Sequence, residues 1–134
     1  MGSTYKIEKG IAVLTNSGSF SYRDVETTLR ALAKDQDFRA GMGVLFIDKG
    51  SNYDPPGHEP KAAARMLSSF VPGISGRIAI VVSTDLHFGI ARMIQAHCEA
   101  HEVTFKVFRE EHTARMWLTK GAEQSHASDA QWRA

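Results

Sequence analysis

The stretch RIAIVVSTDLHFGIARMIQAHCEAHEVTFKVFR, Arg77 to Arg109, decides the fold. Ile78 to Val82 is an unbroken apolar run rich in β-branched residues, the pattern of an interior parallel strand covered on both faces. Ser83, Thr84 and Asp85 end the run and supply caps for a helix. Ile90, Ile94 and Cys98 recur at four-residue spacing with Ala91 beside them, so one face of that helix is predicted to be buried. Val103, Phe105 and Val107 then alternate with Thr104, Lys106 and Phe108, and the chain returns as a strand. The sum is a βαβ unit, right-handed by the general rule.

Working outward, Tyr5 to Ile7 and Ile11 to Thr15 flank a turn at Lys9-Gly10 and predict an antiparallel hairpin whose short, charged first strand suits a sheet edge. Ser21 and Asp24 mark a helix start, and Val25, Leu29 and Leu32 its buried face, ending near Lys34. Val44 to Ile47 is the next buried strand, closed by Asp48. Lys49 to Glu59, KGSNYDPPGHE, holds two glycines and two of the four prolines and is the main irregular loop. A helix with Pro60 in its first turn follows, with Ala63, Met66, Leu67 and Phe70 inward. After Arg109, Glu110 and Glu111 favour a last short helix with Ala114, Trp117 and Leu118 on its apolar side. From Thr119 to Ala134 the chain reads as a disordered tail. The order β-β-α-β-α-β-α-β-α places the protein in the α/β class, with a mixed five-stranded sheet, four helices and only the first strand antiparallel.

The 134 residues, 43% of them apolar, fit one domain with one core, and the net charge of +1 gives no concentrated basic patch for nucleic acid. No apolar stretch reaches the roughly 20 residues that cross a bilayer, and no basic-then-apolar leader opens the sequence. With its single cysteine, Cys98, the chain reads as soluble and cytoplasmic. P-loop, dinucleotide and nucleophile-elbow patterns are absent, which disfavours an ATPase, a nicotinamide oxidoreductase or a serine hydrolase.

FGIARM at 88 to 93, VFR at 107 to 109 and the ending Ala114-Arg115-Met116-Trp117-Leu118 resemble the SpoIIAA-like, or STAS-like, family of small bacterial proteins. The resemblance covers residues 4 to 118 and is most specific from Ile78 onward. It implies a superhelix of βα turns related to anti-sigma-factor antagonists, in a superfamily that also holds lipid-carrying domains of the CRAL-TRIO type. Antagonists of this kind carry an Asp-Ser-Ser-Gly-like element with a phosphorylated serine at a helix start. This chain instead reads Asp48-Lys49-Gly50-Ser51-Asn52, with Ser51 inside the long loop.

Ligands of open parallel sheets collect beyond the carboxyl ends of the strands. That edge is expected to gather Asn16, Asp48, Ser83, Thr84, Asp85 and Arg109. The plainer alternative has Thr84 or Asp85 capping the helix and Arg109 pairing with a surface acid. Arg92 is expected to pair with Asp48 or Asp85, or else to touch a ligand or partner. Tyr53 and His58 make the Lys49 to Glu59 loop a candidate lid or partner surface. Ser51 and Ser83 are the serines where a phosphate would act as a switch. His97 and His101 lie four apart, with His87 at the helix start, but the H-E-x-x-H pattern is absent, so no metal or other cofactor is expected. Cys98, on an apolar stripe, reads as a structural thiol.

These residues form no sufficient catalytic constellation. The leading expectation is therefore a non-enzymatic regulatory domain that binds another protein through Asp48, Ser51, Tyr53, Ser83, Asp85, Arg92 and Arg109. The alternative is a domain that binds a small or lipid-like ligand between the sheet edge and its helices. A homodimer through an edge strand or the last helix stays open.

Overall fold

A computed structural model describes residues 2–18, 22–39, 41–49, 59–69, 77–100 and 103–127, without the side chains of 2, 22, 59 and 120–127. Strand β1 (Gly2–Glu8) pairs antiparallel with β2 (Ile11–Ser17). The turn between them has positive φ at both Lys9, 51°, and Gly10, 79°, the backbone that lets a two-residue hairpin follow the twist of its strands. Strands β3 (Gly43–Lys49), β4 (Ile78–Val81) and β5 (Phe105–Phe108) join in parallel, in the spatial order β1-β2-β3-β4-β5. This is the mixed five-stranded sheet expected, with β1 on its edge.

Because the strand order advances one place at a time, crossovers of the same hand must all lie on one face. Residues of α1 (Tyr22–Ala33), α2 (Glu59–Ser69) and α3 (Asp85–Ala100) accordingly share one core with Ala12 and Leu14 of β2, Val44 and Phe46 of β3, Ile78 of β4 and Phe105 of β5. The alternate residues of the same strands, Ile11, Val13, Leu45, Ile47, Ala79 and Val81, build a second core on the other face. Its cover is α4 (Glu111–Ala127), through Ala114 and Leu118 with Trp117 at the margin. Arg77 holds Trp117 in place: its guanidinium lies 4.7 Å from the ring centroid, and Nη1 donates to the Trp117 carbonyl at 3.3 Å.

Two local readings change. The apolar side of α4 is where the sequence puts it, yet the helix runs on past Thr119 to Ala127, and 128–134 lie outside the described residues. In α3 the fully buried line is His87, Ala91 and Cys98, whereas Ile90 and Ile94 are half-buried. The stripe is turned by a fraction of a residue step, and that rotation brings a histidine to the sheet.

Candidate functional site

The carboxyl ends of β2 and β3 set the first two groups of the site. Asn16 and Asp48 are register partners on adjacent parallel strands, so both side chains stand on the face that carries Leu14 and Phe46. The third comes from the start of α3. Thr84 is its N-cap: Oγ1 accepts from His87 N–H at 3.1 Å, and its carbonyl accepts from Phe88 N–H at 2.9 Å. That cap fixes the first turn and aims His87 inward, where Nδ1 lies 2.7 Å from Asp48 Oδ2 with both side chains only 8% exposed. Asn16 is 5% exposed, and its Oδ1 is buried without a hydrogen-bond partner.

These three polar groups form one end of a partly open cavity of about 90 Å³. The rest of its wall is apolar, drawn from the sheet at Phe46, Ile80 and Phe105 and from the helices at Met66, Leu67 and Ile94. The cavity thus sits under the crossover helices at the strand ends, where open parallel sheets place their ligands. No group of three or more potential metal ligands occurs among the described residues.

The expected site residues divide between inside and outside. Asp48 and Asn16 are inside. Ser83, Asp85, Arg92 and Arg109 are exposed. Asp85, with a side chain 97% exposed, accepts from Arg109 Nη2 at 2.8 Å. Arg109 also stacks over Phe88 at 4.4 Å from the ring centroid. The plainer alternative is therefore the one seen: Thr84 caps, and Arg109 pairs with a surface acid. The expected Arg92 pair is corrected, since Asp48 meets His87 and Asp85 meets Arg109, and Arg92 points to solvent. Ser51, Tyr53, His58 and His101 lie outside the described residues. Cys98 is fully buried, and desolvation pushes its thiol up to about 11, so it is a packing residue.

The contact of His87 with Asp48 is what the sequence reading passed over. Its signal was the spacing 87, 91, 94, 98, a helical stripe with an imidazole as first member, in step with an aspartate that closes a buried strand.

The architecture is a SpoIIAA-like fold. Similar to it is the crystal structure of an uncharacterised protein of the DUF3478 family with a SpoIIAA-like fold, from Shewanella loihica PV-4. It aligns with a TM-score of 0.54 and 15% sequence identity, over 87% of this chain and 91% of that one. No protein-family model matches the chain. Nor does any curated protein match it. Among the described residues, no helix is long and apolar enough to cross a membrane.

Proposed function

We infer that the protein is a non-enzymatic binding domain that takes a small, largely apolar ligand between its sheet and the helices α2 and α3. The carrying observation is the cavity itself. Leaving it open in an otherwise close-packed interior, with polar groups converging at one end, is what a binding site requires. Native mass spectrometry of the freshly purified chain, beside its denatured mass, tests the reading. A retained non-covalent mass supports it. A clean mass, together with no shift of the Met66, Ile80 or Ile94 methyl resonances on adding hexanol, overturns it.

A second reading, a protein-binding regulatory domain, is favoured by the outer face of α3. Leu86 and Met93 are 56% and 47% exposed, one helical face apart by two turns, beside the exposed polar edge of Ser83, Asp85, Arg92 and Arg109. Charge reversal at Arg92 and Arg109 that abolishes capture of one specific protein, with the fold intact, is its expected result.

A further inference from the structure

Helix α3 is apolar on two opposite sides, and the domain covers only one of them. Its buried line is His87, Ala91 and Cys98. On the back, Leu86, Gly89, Met93, Ala96 and Ala100 follow one another at alternating three- and four-residue spacing. All five are exposed, Leu86 by 56% and Met93 by 47%. That is the seam by which one helix receives another, with large side chains as knobs and small residues between them over which a second backbone can come close. The seam is open at Gly89, where an added Cβ would meet nothing within 4 Å. A helix that is apolar around most of its circumference is ordinarily covered on both sides.

The charges beside the seam say what covers it. Helix α2 packs alongside α3 and shares the cavity wall with it at Met66, Leu67, Ile90 and Ile94, so the outer face of α2 flanks the seam on that side. There Lys61 and Arg65 are exposed, one turn apart. The opposite flank carries Asp85, Arg92 and Glu99 at seven-residue spacing. Asp85 is held by Arg109 at 2.8 Å. Among the described side chains, Lys61, Arg65 and Arg92 pair with no carboxylate, and Glu99 is the one acid of this face left to set against three cations. We propose that this face docks an acidic amphipathic helix of another protein, its apolar stripe on Leu86 and Met93 and its carboxylates toward Lys61, Arg65 and Arg92. The inference rests on the protein-binding reading and gives the partner's chemistry. A second copy of the chain is disfavoured, because it sets the same excess of cations against itself. An anionic bilayer would meet the cations, but Gly89, Ala96 and Ala100 offer it little apolar surface to bury.

Fluorescence anisotropy of labelled synthetic peptides tests the assignment on the full-length protein. One peptide is an amphipathic helix of about three heptads, with leucines at the same spacing and glutamate on both flanks, and the other carries lysine in place of glutamate. The glutamate peptide should bind about tenfold tighter at low salt, and the difference should shrink in molar salt. Reversing the three cations together, by Lys61→Glu, Arg65→Glu and Arg92→Glu, should invert the preference. Met93→Glu should abolish binding of the glutamate peptide. All four positions are exposed, so the far-ultraviolet circular dichroism should stay unchanged. Equal binding of the two peptides would overturn the acidic assignment and leave the protein-binding reading in place. So would a dimer in sedimentation that Met93→Glu dissolves. Binding of neither peptide, or a preference for phosphatidylglycerol vesicles over the glutamate peptide, would remove the protein-binding reading of this face itself.

Discussion

The two faces of the sheet are made from alternate residues of the same strands, yet they are finished differently. Under α1, α2 and α3, the face that begins with Ala12, Leu14, Val44 and Phe46 ends in Asn16 and Asp48, and the packing opens into a cavity. Under α4, the face of Ile11, Val13, Leu45, Ile47, Ala79 and Val81 closes on Ala114 and Leu118 with an apolar core. One helix seals one side, while three helices leave a gap on the other. The consecutive strand order requires this crowding, since each crossover helix must start at a strand end on the same face, and the first turns meet where polar loop residues begin. The polar groups and the cavity thus lie on the crossover face and the sealed apolar packing on the α4 face, a division that substitutions can test.

The largest effect is expected on the crossover face. Asp48→Leu leaves the buried His87 imidazole without its hydrogen-bonding partner and should destabilise the fold by about 3 kcal/mol, read as a lowered urea midpoint. The double variant Asp48→Leu with His87→Leu should recover most of that loss, because a buried pair is harder to break from one side than to replace. Additive losses would mean that the two side chains are held independently and that the polar end is no unit. On the α4 face, Leu118→Ala should cost about 3 kcal/mol, the usual range for a buried leucine. Leu118 is 2% exposed and packs so closely over β3 that a Cβ on Gly43 would lie 3.1 Å from its Cδ2. Its hexanol affinity should be unchanged. A joint loss of binding and stability would break the division between the faces.

Filling the gap reverses the sign. Ala63, on α2 and 8% exposed, lines the cavity. Ala63→Leu places apolar volume where space already exists, and should raise stability by about 1 kcal/mol while abolishing hexanol binding. A destabilised variant that still binds would show that the space lies elsewhere than between α2 and the sheet.

How much of this was readable beforehand follows from which forces act locally. Strand runs such as Ile78 to Val82 and helix stripes such as Val25, Leu29 and Leu32 are short-range patterns, and they led to the correct element order and to β1 as an edge. Asp48 was expected at the carboxyl edge of the sheet because it closes a buried strand, and it stands there in register with Asn16. The Asp48–His87 contact was not readable, since it depends on the rotation of α3 about its axis, which packing against α2 and β5 decides. Arg92 was assigned inward on its apolar neighbours, but the same rotation carries it to solvent. The orphaned carbonyl of Asn16 is further still from any local pattern, because only the finished cavity shows that nothing donates to it. The length of α4 was missed for the opposite reason: beyond Leu118 the helix continues through residues that carry no apolar stripe to announce it.

The smallest expected effect lies where α4 meets the sheet edge. Glu8, at the end of β1, accepts from Arg115 Nη2 at 2.8 Å, and Arg115 is also bound by Glu111 through Nε at 2.8 Å. Lys6 adds a contact to Glu8 at 3.2 Å. The hydrogen bond from Arg115, and then that from Lys6, hold the Glu8 carboxyl below its ordinary value of 4.5. A carboxyl group lowered in the folded state contributes stability above its unfolded value, and the contribution is lost as pH falls through the folded one. Glu8→Gln should therefore lower the melting temperature slightly near pH 7 and converge with the wild type in acid, once the pH has fallen below the lowered folded value. Exposed pairs of this kind are screened, so the difference at neutral pH should shrink further in molar salt. An effect that persisted unchanged in acid and in salt would come from packing of the Glu8 side chain under α4, and would make the seal on the apolar face steric alone.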